Sequence, residues 1–320
     1  MFDVSNFCFS EEDIIFFSLL KGFVFTYNFY MHPKTVAVDG KIYAIGGTRD
    51  NEASSLSIVE EYDPKTDTWI KKADMLIPRM RPTVSAINGK FYVISGSTVE
   101  EYDPKKDKWT KKPDIPIQAV GGNGGVVVND KIYLIGIGTG PEFKTVVEYD
   151  PINDTWNKKA DMPTSRWMFG TALVNNKIYV MGGNINPGFQ AHSIATVEEY
   201  DIATDTWAQK ADMPLDRTTM AVVAVNDKIY VIGGMTFPEM TLNLAVNVYD
   251  PKTDKWTQES DATTTRAYPS ACLVDNKIYV VGGQNFGGYL SSVEEYTPEG
   301  WTFAISLQGK LPSKWGEIKR

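Results

Sequence analysis

Two residue types that carry much of protein chemistry are scarce in this chain of 320 residues, which has two cysteines and two histidines. Cys8 and Cys272 cannot build a disulfide framework, although that scarcity fixes no compartment. His32 and His192 offer no nitrogen cluster for a transition metal and no basis for a Ser-His-Asp arrangement, so neither a metal, a cofactor nor a catalytic residue is expected. Net positive charge is lacking as well. The formal charge is −8 and the pI about 5.0, whereas nucleic-acid binding needs a basic footprint, which excludes nucleic acid as a general partner. Long unbroken apolar runs are also missing. Residues 14–31 are rich in Ile, Phe, Leu and Tyr, but Ser18, Lys21, Gly22 and Asn28 interrupt them, which makes a short and poor membrane span. Glu11, Glu12 and Asp13 stand where a secretory leader would be basic, and no Ala-x-Ala site follows. Residues 1–30 read as an atypical N-terminal segment, either a degenerate leader or membrane segment or an added β-prone strand at 23–30.

What the chain has is one phrase written six times. In the first copy it runs Lys41, Ile42, Tyr43, Ala44, Ile45, Gly46, Gly47, then Glu60, Glu61, Tyr62, Asp63, Pro64, then Trp69. The signature tryptophans Trp69, Trp109, Trp156, Trp207, Trp256 and Trp301 recur at intervals of about 40 to 50 residues. Units of that length cannot bury their own apolar faces, so in a chain that is 42% hydrophobic they must stack on one another. Within the fourth copy, two short β-prone runs flank Asn175 and Asn176, a pair that tolerates the positive φ of a tight hairpin. A third run ends at Tyr200 and a fourth begins at Trp207, so each unit reads as a four-stranded antiparallel meander. Six such sheets arranged radially make an all-β, six-bladed β-propeller. The expected blades are 31–75, 79–115, 119–162, 166–213, 217–261 and 266–308, with 309–320 as a C-terminal tail.

The Gly-Gly doublet, the Tyr-Asp pair and the following Trp resemble the Kelch family over roughly residues 31–305, and the propeller is of the kind that galactose oxidase carries. The copper radical oxidases of that kind need two Tyr, two His and a cross-linking Cys in one site. Here His32 and His192 belong to the first and fourth sheets, on opposite sides of a six-sheet ring, and Cys272 sits inside an inner strand as core. The Asp-Pro-Lys-Thr-Asp turns are too short for a calcium loop and have ordinary turn roles. The Glu-Glu and Lys-Lys pairs read as cross-strand charge pairs on a solvated face. The copies also differ. Ser95-Gly96 replaces the doublet in the second, Gly136-Ile137-Gly138 in the third, and Val246-Asn247 replaces Glu-Glu in the fifth. The sixth copy has a shortened run to Trp301, which predicts an outer strand borrowed from elsewhere, with residues 23–29 the candidate.

In such a meander the variable loops after each doublet share one pole with the links between sheets, and function tends to sit on loops held by a rigid scaffold. Those loops offer Phe189, His192, Phe237, Phe286 and Tyr289. Eleven residues before the Lys of the phrase stand Arg79, Arg166, Arg217 and Arg266, with Val120 and Tyr30 in the two other copies. At the start of the innermost strands they would ring the channel mouth, with Arg81, Trp167 and Tyr268 as stacking neighbours, and arginine forks suit carboxylates or phosphates. Equally, each Arg could hold the Asp five residues before it (Asp74, Asp161, Asp212, Asp261) or a loop carbonyl. The glycine-rich stretch 120–125 lets its strand pack close to the axis, since no helix or Lys-Ser/Thr follows to make a phosphate cradle. The expectation is a non-enzymatic, monomeric binding module that engages a protein, an acidic peptide or an anionic glycan at the arginine-bearing mouth. The alternative is an enzyme acting on an anionic sugar, similar to the N-acetylneuraminate epimerases, which are also six-bladed Kelch propellers.

Overall fold

The computed structural model describes residues 34–47, 55–79, 82–116, 124–138, 143–186, 190–290, 292–297 and 300–305. Their regular elements are all strands, arranged as six four-stranded antiparallel sheets. The inner strands are Lys34–Val38, Thr83–Ile87, Gly124–Val128, Gly170–Val174, Ala221–Val225 and Ser270–Val274. Each touches the next in that order, and the last touches the first, which closes a six-bladed propeller around a central channel. Every blade is built from one contiguous stretch of chain. The outer strand of the sixth blade is its own Gly300–Ile305, paired with Val293–Thr297, so no strand is borrowed; residues 23–29 lie outside the described residues. The first and sixth blades meet through Thr35, whose amide and hydroxyl donate to Ser270 Oγ at 3.1 and 2.7 Å. Ile42 and Tyr62 of the first blade share an apolar cluster with Cys272, Val274 and Tyr279 of the sixth. Cys272 is therefore core, and burial pushes its thiol up to about 12.

The repeated phrase explains itself physically. Asp39, Asn88, Asn129, Asn175, Asn226 and Asp275 open the first hairpins at φ between 48° and 52°, the left-handed region that Asn and Asp tolerate. The signature Tyr62, Tyr102, Tyr149, Tyr200, Tyr249 and Tyr296 are wholly buried between blades. The hydroxyls of the first five reach the last Asp of the following turn, as Tyr149 does to Asp154 and Tyr249 to Asp254, both at 2.5 Å. That Asp also accepts from the linker of the preceding blade: Ala73 N to Asp107 at 2.8 Å, Ala160 N to Asp205 at 2.9 Å, Ala211 N to Asp254 at 2.9 Å. The indoles of Trp109, Trp207 and Trp256 donate to the carbonyls of the same three alanines at 2.8, 3.0 and 3.0 Å. Turn Asp and Trp thus clamp the second, fourth and fifth blades to their predecessors from the rim. Hydrogen bonds from Tyr200 and from the Ala160 amide hold the Asp205 carboxyl below its usual range.

The Glu-Glu pairs are not a solvated face, as expected from sequence. Strand alternation sends the two carboxylates to opposite sides. The second Glu accepts from the Tyr and Lys of its own blade, as Glu101 does from Tyr92 and Lys90, each at 2.7 Å. The first Glu is buried: Glu60, Glu100, Glu198 and Glu294 are all less than 5% exposed. What those buried carboxylates face determines the reading of the arginines.

Candidate functional site

The four arginines do not ring the channel mouth. Arg79, Arg166, Arg217 and Arg266 are at most 2% exposed, and every fork is occupied inside the protein. Arg79 leaves the first blade with its amide on Leu56 O at 2.9 Å and its carbonyl on Gly47 N at 3.0 Å. Its guanidinium enters the second blade, donating to Ser95 O and Thr98 O at 3.1 Å each and to Glu100 at 2.8 Å. Arg166 repeats this from the third blade into the fourth, donating to Gly182 O at 3.1 Å, Thr196 O at 2.7 Å and Glu198. Arg266 does so from the fifth into the sixth, on Gly282 O, Ser292 Oγ at 2.7 Å and Glu294 at 2.6 Å. Each arginine is a staple with its backbone in one blade and its charge in the next. The carbonyl reading of these residues matches the structure, while the neighbouring-Asp reading does not: Asp74 and Asp161 pair instead with Lys71 and Lys158 at 3.3 and 3.4 Å.

The residues of the staple differ between blades, sometimes both and sometimes only one. In the third blade Val120 replaces the Arg, and Val147 stands in place of the first Glu. In the fifth blade Arg217 meets neutral Asn247 instead of a Glu, and burial pushes the guanidinium down to about 10. The first glycine of the doublet is required by the same device, because the next arginine's backbone crosses it. A Cβ on Gly182 would lie 2.3 Å from Arg217 O.

What surrounds the channel mouth is a ring of backbone in which sequence reading singled out Tyr268, as a stacking neighbour, but not Met168 or Thr219. Two residues after the arginine, Met168, Thr219 and Tyr268 adopt φ of 56°, 57° and 57°. Thr219 N donates to Met168 O at 3.0 Å and Tyr268 N to Thr219 O at 2.9 Å, linking three blades across the pole. Left-handed backbone at non-glycine residues costs about 1 kcal/mol or more each and clusters at ligand sites. The only advance signal was positional, a fixed offset from Arg. These residues line an axial cavity of about 250 Å³ together with Lys34, Thr83, Phe169 and Ser270. Its polar groups are mainly hydroxyls and backbone.

The other expected site residues are distributed over the same pole. Trp167 is half-buried beside the staple, paired through its backbone with Asn184 at 3.1 and 2.8 Å. His192 is exposed on a small arm, Asn184–Ile185 with His192–Ser193. Phe237 is half-buried, and its amide donates to Ser193 Oγ at 2.8 Å, which joins the arms of the fourth and fifth blades. Phe286 is 75% exposed at the tip of a second arm, Gln284–Asn285 with Gly288–Tyr289, where Tyr289 is placed by its backbone. Arg81 and Phe189 lie outside the described residues. Among the described residues no three His, Cys, Asp or Glu come together as a metal would require.

Comparison with known proteins matches this architecture. A family model described as the KLHDC2/KLHL20/DRC7 Kelch-repeats domain matches residues 169–317. Two Kelch-motif models match 31–76 with 121–163, and 78–116. Kelch-like protein 15 of Danio rerio is 28% identical over 237 residues, covering 65% of this chain and 39% of the relative. Beta-scruin of Limulus polyphemus is 29% identical over 214 residues, covering 66% of this chain and 20% of the relative. The chain thus spans well under half the length of either relative. A solved structure described as that of YjhT superposes with a TM-score of 0.72 at 18% identity, over 85% of this chain and 97% of that one, which is a likeness of fold.

Proposed function

On the premise that this chain belongs to the Kelch-repeat family, we propose that it is a non-enzymatic, monomeric binding module that engages a partner protein on the pole bearing the aromatic arms. The observation that carries this is Phe286, 75% exposed at the tip of an arm whose base is fixed to the neighbouring linker by Ala267 and Gln284, each amide donating to the other's carbonyl at 2.9 Å. A large apolar side chain presented on an anchored arm is the kind of group that fills a partner's pocket. Trp167, Phe237, Tyr268 and His192 extend the same surface around the mouth, and they differ from blade to blade while the scaffold beneath repeats. An acidic peptide or an anionic glycan would find Lys34 there, but not the four buried arginines. An aromatic, neutral ligand segment fits the described lining better.

The test compares wild type with the Phe286→Asp and Trp167→Ser variants in affinity capture from the source cells, beside a peptide and glycan array. Proteins retained by wild type and lost by both variants, at unchanged thermal unfolding, are the expected result. Retention of the same proteins by the variants, or selective binding of anionic glycans alone, overturns the assignment.

A further inference from the structure

The pole opposite the aromatic arms repeats a second device, and one blade breaks it. In the second, third and fourth blades the Lys and Tyr of the phrase grip one carboxylate between them. Lys90 and Tyr92 each donate to Glu101 at 2.7 Å, Lys131 and Tyr133 to Glu148 at 3.1 and 2.5 Å, and Lys177 and Tyr179 to Glu199, both at 2.6 Å. Tyr43 donates likewise to Glu61 at 2.7 Å in the first blade, and Lys277 to Glu295 at 2.7 Å in the sixth. The fifth blade keeps the cation and the phenol, Lys228 and Tyr230. Opposite Tyr230, however, stands Val248, where each of the other five blades sets a Glu opposite its Tyr. A valine side chain ends two atoms short of the place where those carboxylate oxygens lie. Lys228 is accordingly exposed, whereas Lys41, Lys90, Lys131, Lys177 and Lys277 are half-buried.

A second exchange on the same face reverses the charge beside this grip. In the first, third and fourth blades the outer edge brings Lys72, Lys159 and Lys210 to 3.6, 3.2 and 3.8 Å from the same carboxylate. The equivalent position in the fifth blade is Glu259, whose amide donates to Val246 O at 2.9 Å as the Lys72 amide does to Val59 O at 3.0 Å. Strand alternation puts the Glu259 side chain on the face that carries Tyr230 and Val248. Burial, and then the Glu259 charge, push the Tyr230 hydroxyl up. Asp250, the other acid near Lys228, is engaged by its own turn and accepts from the Lys252 amide at 2.9 Å. The fifth blade thus offers two donors for a carboxylate and, close beside them, an acceptor for a cation. A simple acid meets Glu259 as repulsion. A ligand whose ammonium follows its carboxylate by a single carbon satisfies all three groups. We propose that this face of the fifth blade is a binding site for an α-amino acid, with its carboxylate between Lys228 and Tyr230 and its ammonium on Glu259. The other blades hold a carboxylate of their own in this grip, and the fifth takes one from outside the chain.

Saturation-transfer NMR of glycine on the full chain tests this, with acetate and methylammonium as the two half-ligands. The expected result is saturable glycine binding to the wild type, at least about tenfold tighter than acetate or methylammonium, because each half-ligand leaves charge unbalanced. Val248→Glu, which restores the carboxylate of the other blades, and Lys228→Met, a change at an exposed side chain, should each abolish that binding at unchanged thermal unfolding. Glu259→Gln should remove the preference for glycine over acetate. Absence of saturable glycine binding, its persistence in Val248→Glu or Lys228→Met, or an unchanged preference in Glu259→Gln overturns the assignment. Should Val248→Glu fail to fold, Lys228→Met and Glu259→Gln decide. Phe286→Asp, on the other pole, should leave the glycine titration as it is in wild type, so this site stands or falls apart from the partner surface; loss of glycine binding in that variant also overturns the assignment.

Discussion

In the fifth blade the staple is chemically incomplete, and completing it should stabilise the protein. Arg217 is fully buried, with Nη1 on Gly233 O at 3.3 Å and on Ala245 O at 3.0 Å, and Nη2 on the neutral amide oxygen of Asn247. Burial pushes it down to about 10 from the ordinary 12.5. At 1.36 kcal/mol per pH unit, holding the charge at neutral pH costs the folded state about 3 kcal/mol. Because the folded value lies below the unfolded one, that cost is full below pH 10 and fades above it. Asn247→Asp keeps the shape and places a carboxylate where Glu100, Glu198 and Glu294 stand in other blades. At an effective dielectric constant near 20 and about 3 Å, the new attraction is about 5 kcal/mol. Desolvating the carboxylate removes several of these, while the guanidinium is already desolvated in the parent. The net gain expected is about 1–2 kcal/mol, with the thermal midpoint raised by a few degrees. The gain should be present above the unfolded carboxylate value near 4, and be lost as pH falls through the lower folded value. Urea and thermal unfolding at pH 7 and pH 3 check both points. A variant equal to or less stable than the parent at pH 7 would refute the reasoning that an unbalanced charge limits this blade.

Three further outcomes follow from the same geometry. Arg166→Met should cost about 3–5 kcal/mol by stranding Glu198, and the Arg166→Met/Glu198→Gln double variant should recover much of it in urea unfolding. Gly125→Ala should destabilise by about 1–3 kcal/mol, since its Cβ would meet Thr83 Cγ2 at 2.2 Å, and Gly125→Ala with Thr83→Ser should be milder in the same assay. In a Cys8→Ser background, Cys272 should stay unreactive toward a thiol reagent at pH 8 in the folded protein and react on unfolding, because its thiol is raised to about 12 and buried.

Much of this protein is written locally. The Asn and Asp at the hairpin turns, the Tyr and Trp of each copy and the spacing of the phrase carry local conformational and packing preferences, so they determined the meander, the blade number and the family resemblance without tertiary information. The chemistry of the charged residues was not readable in that way. Arg166 at the start of an inner strand looks identical from sequence whether its fork faces a ligand or Glu198, because the partner lies 32 positions away and is brought near only by the sheet. The same holds for the two carboxylates of each Glu-Glu pair, which alternation separates into a rim contact and a buried staple. Apart from their fixed offset from the arginine, nothing local marks the left-handed backbone of Met168, Thr219 and Tyr268, which hydrogen bonds between adjacent blades hold. Sequence alone settled where the strands and turns lie, since those depend on neighbours along the chain. Only the closed ring decided which charges are buried and which aromatics remain for a partner, because burial is a property of blades meeting in space.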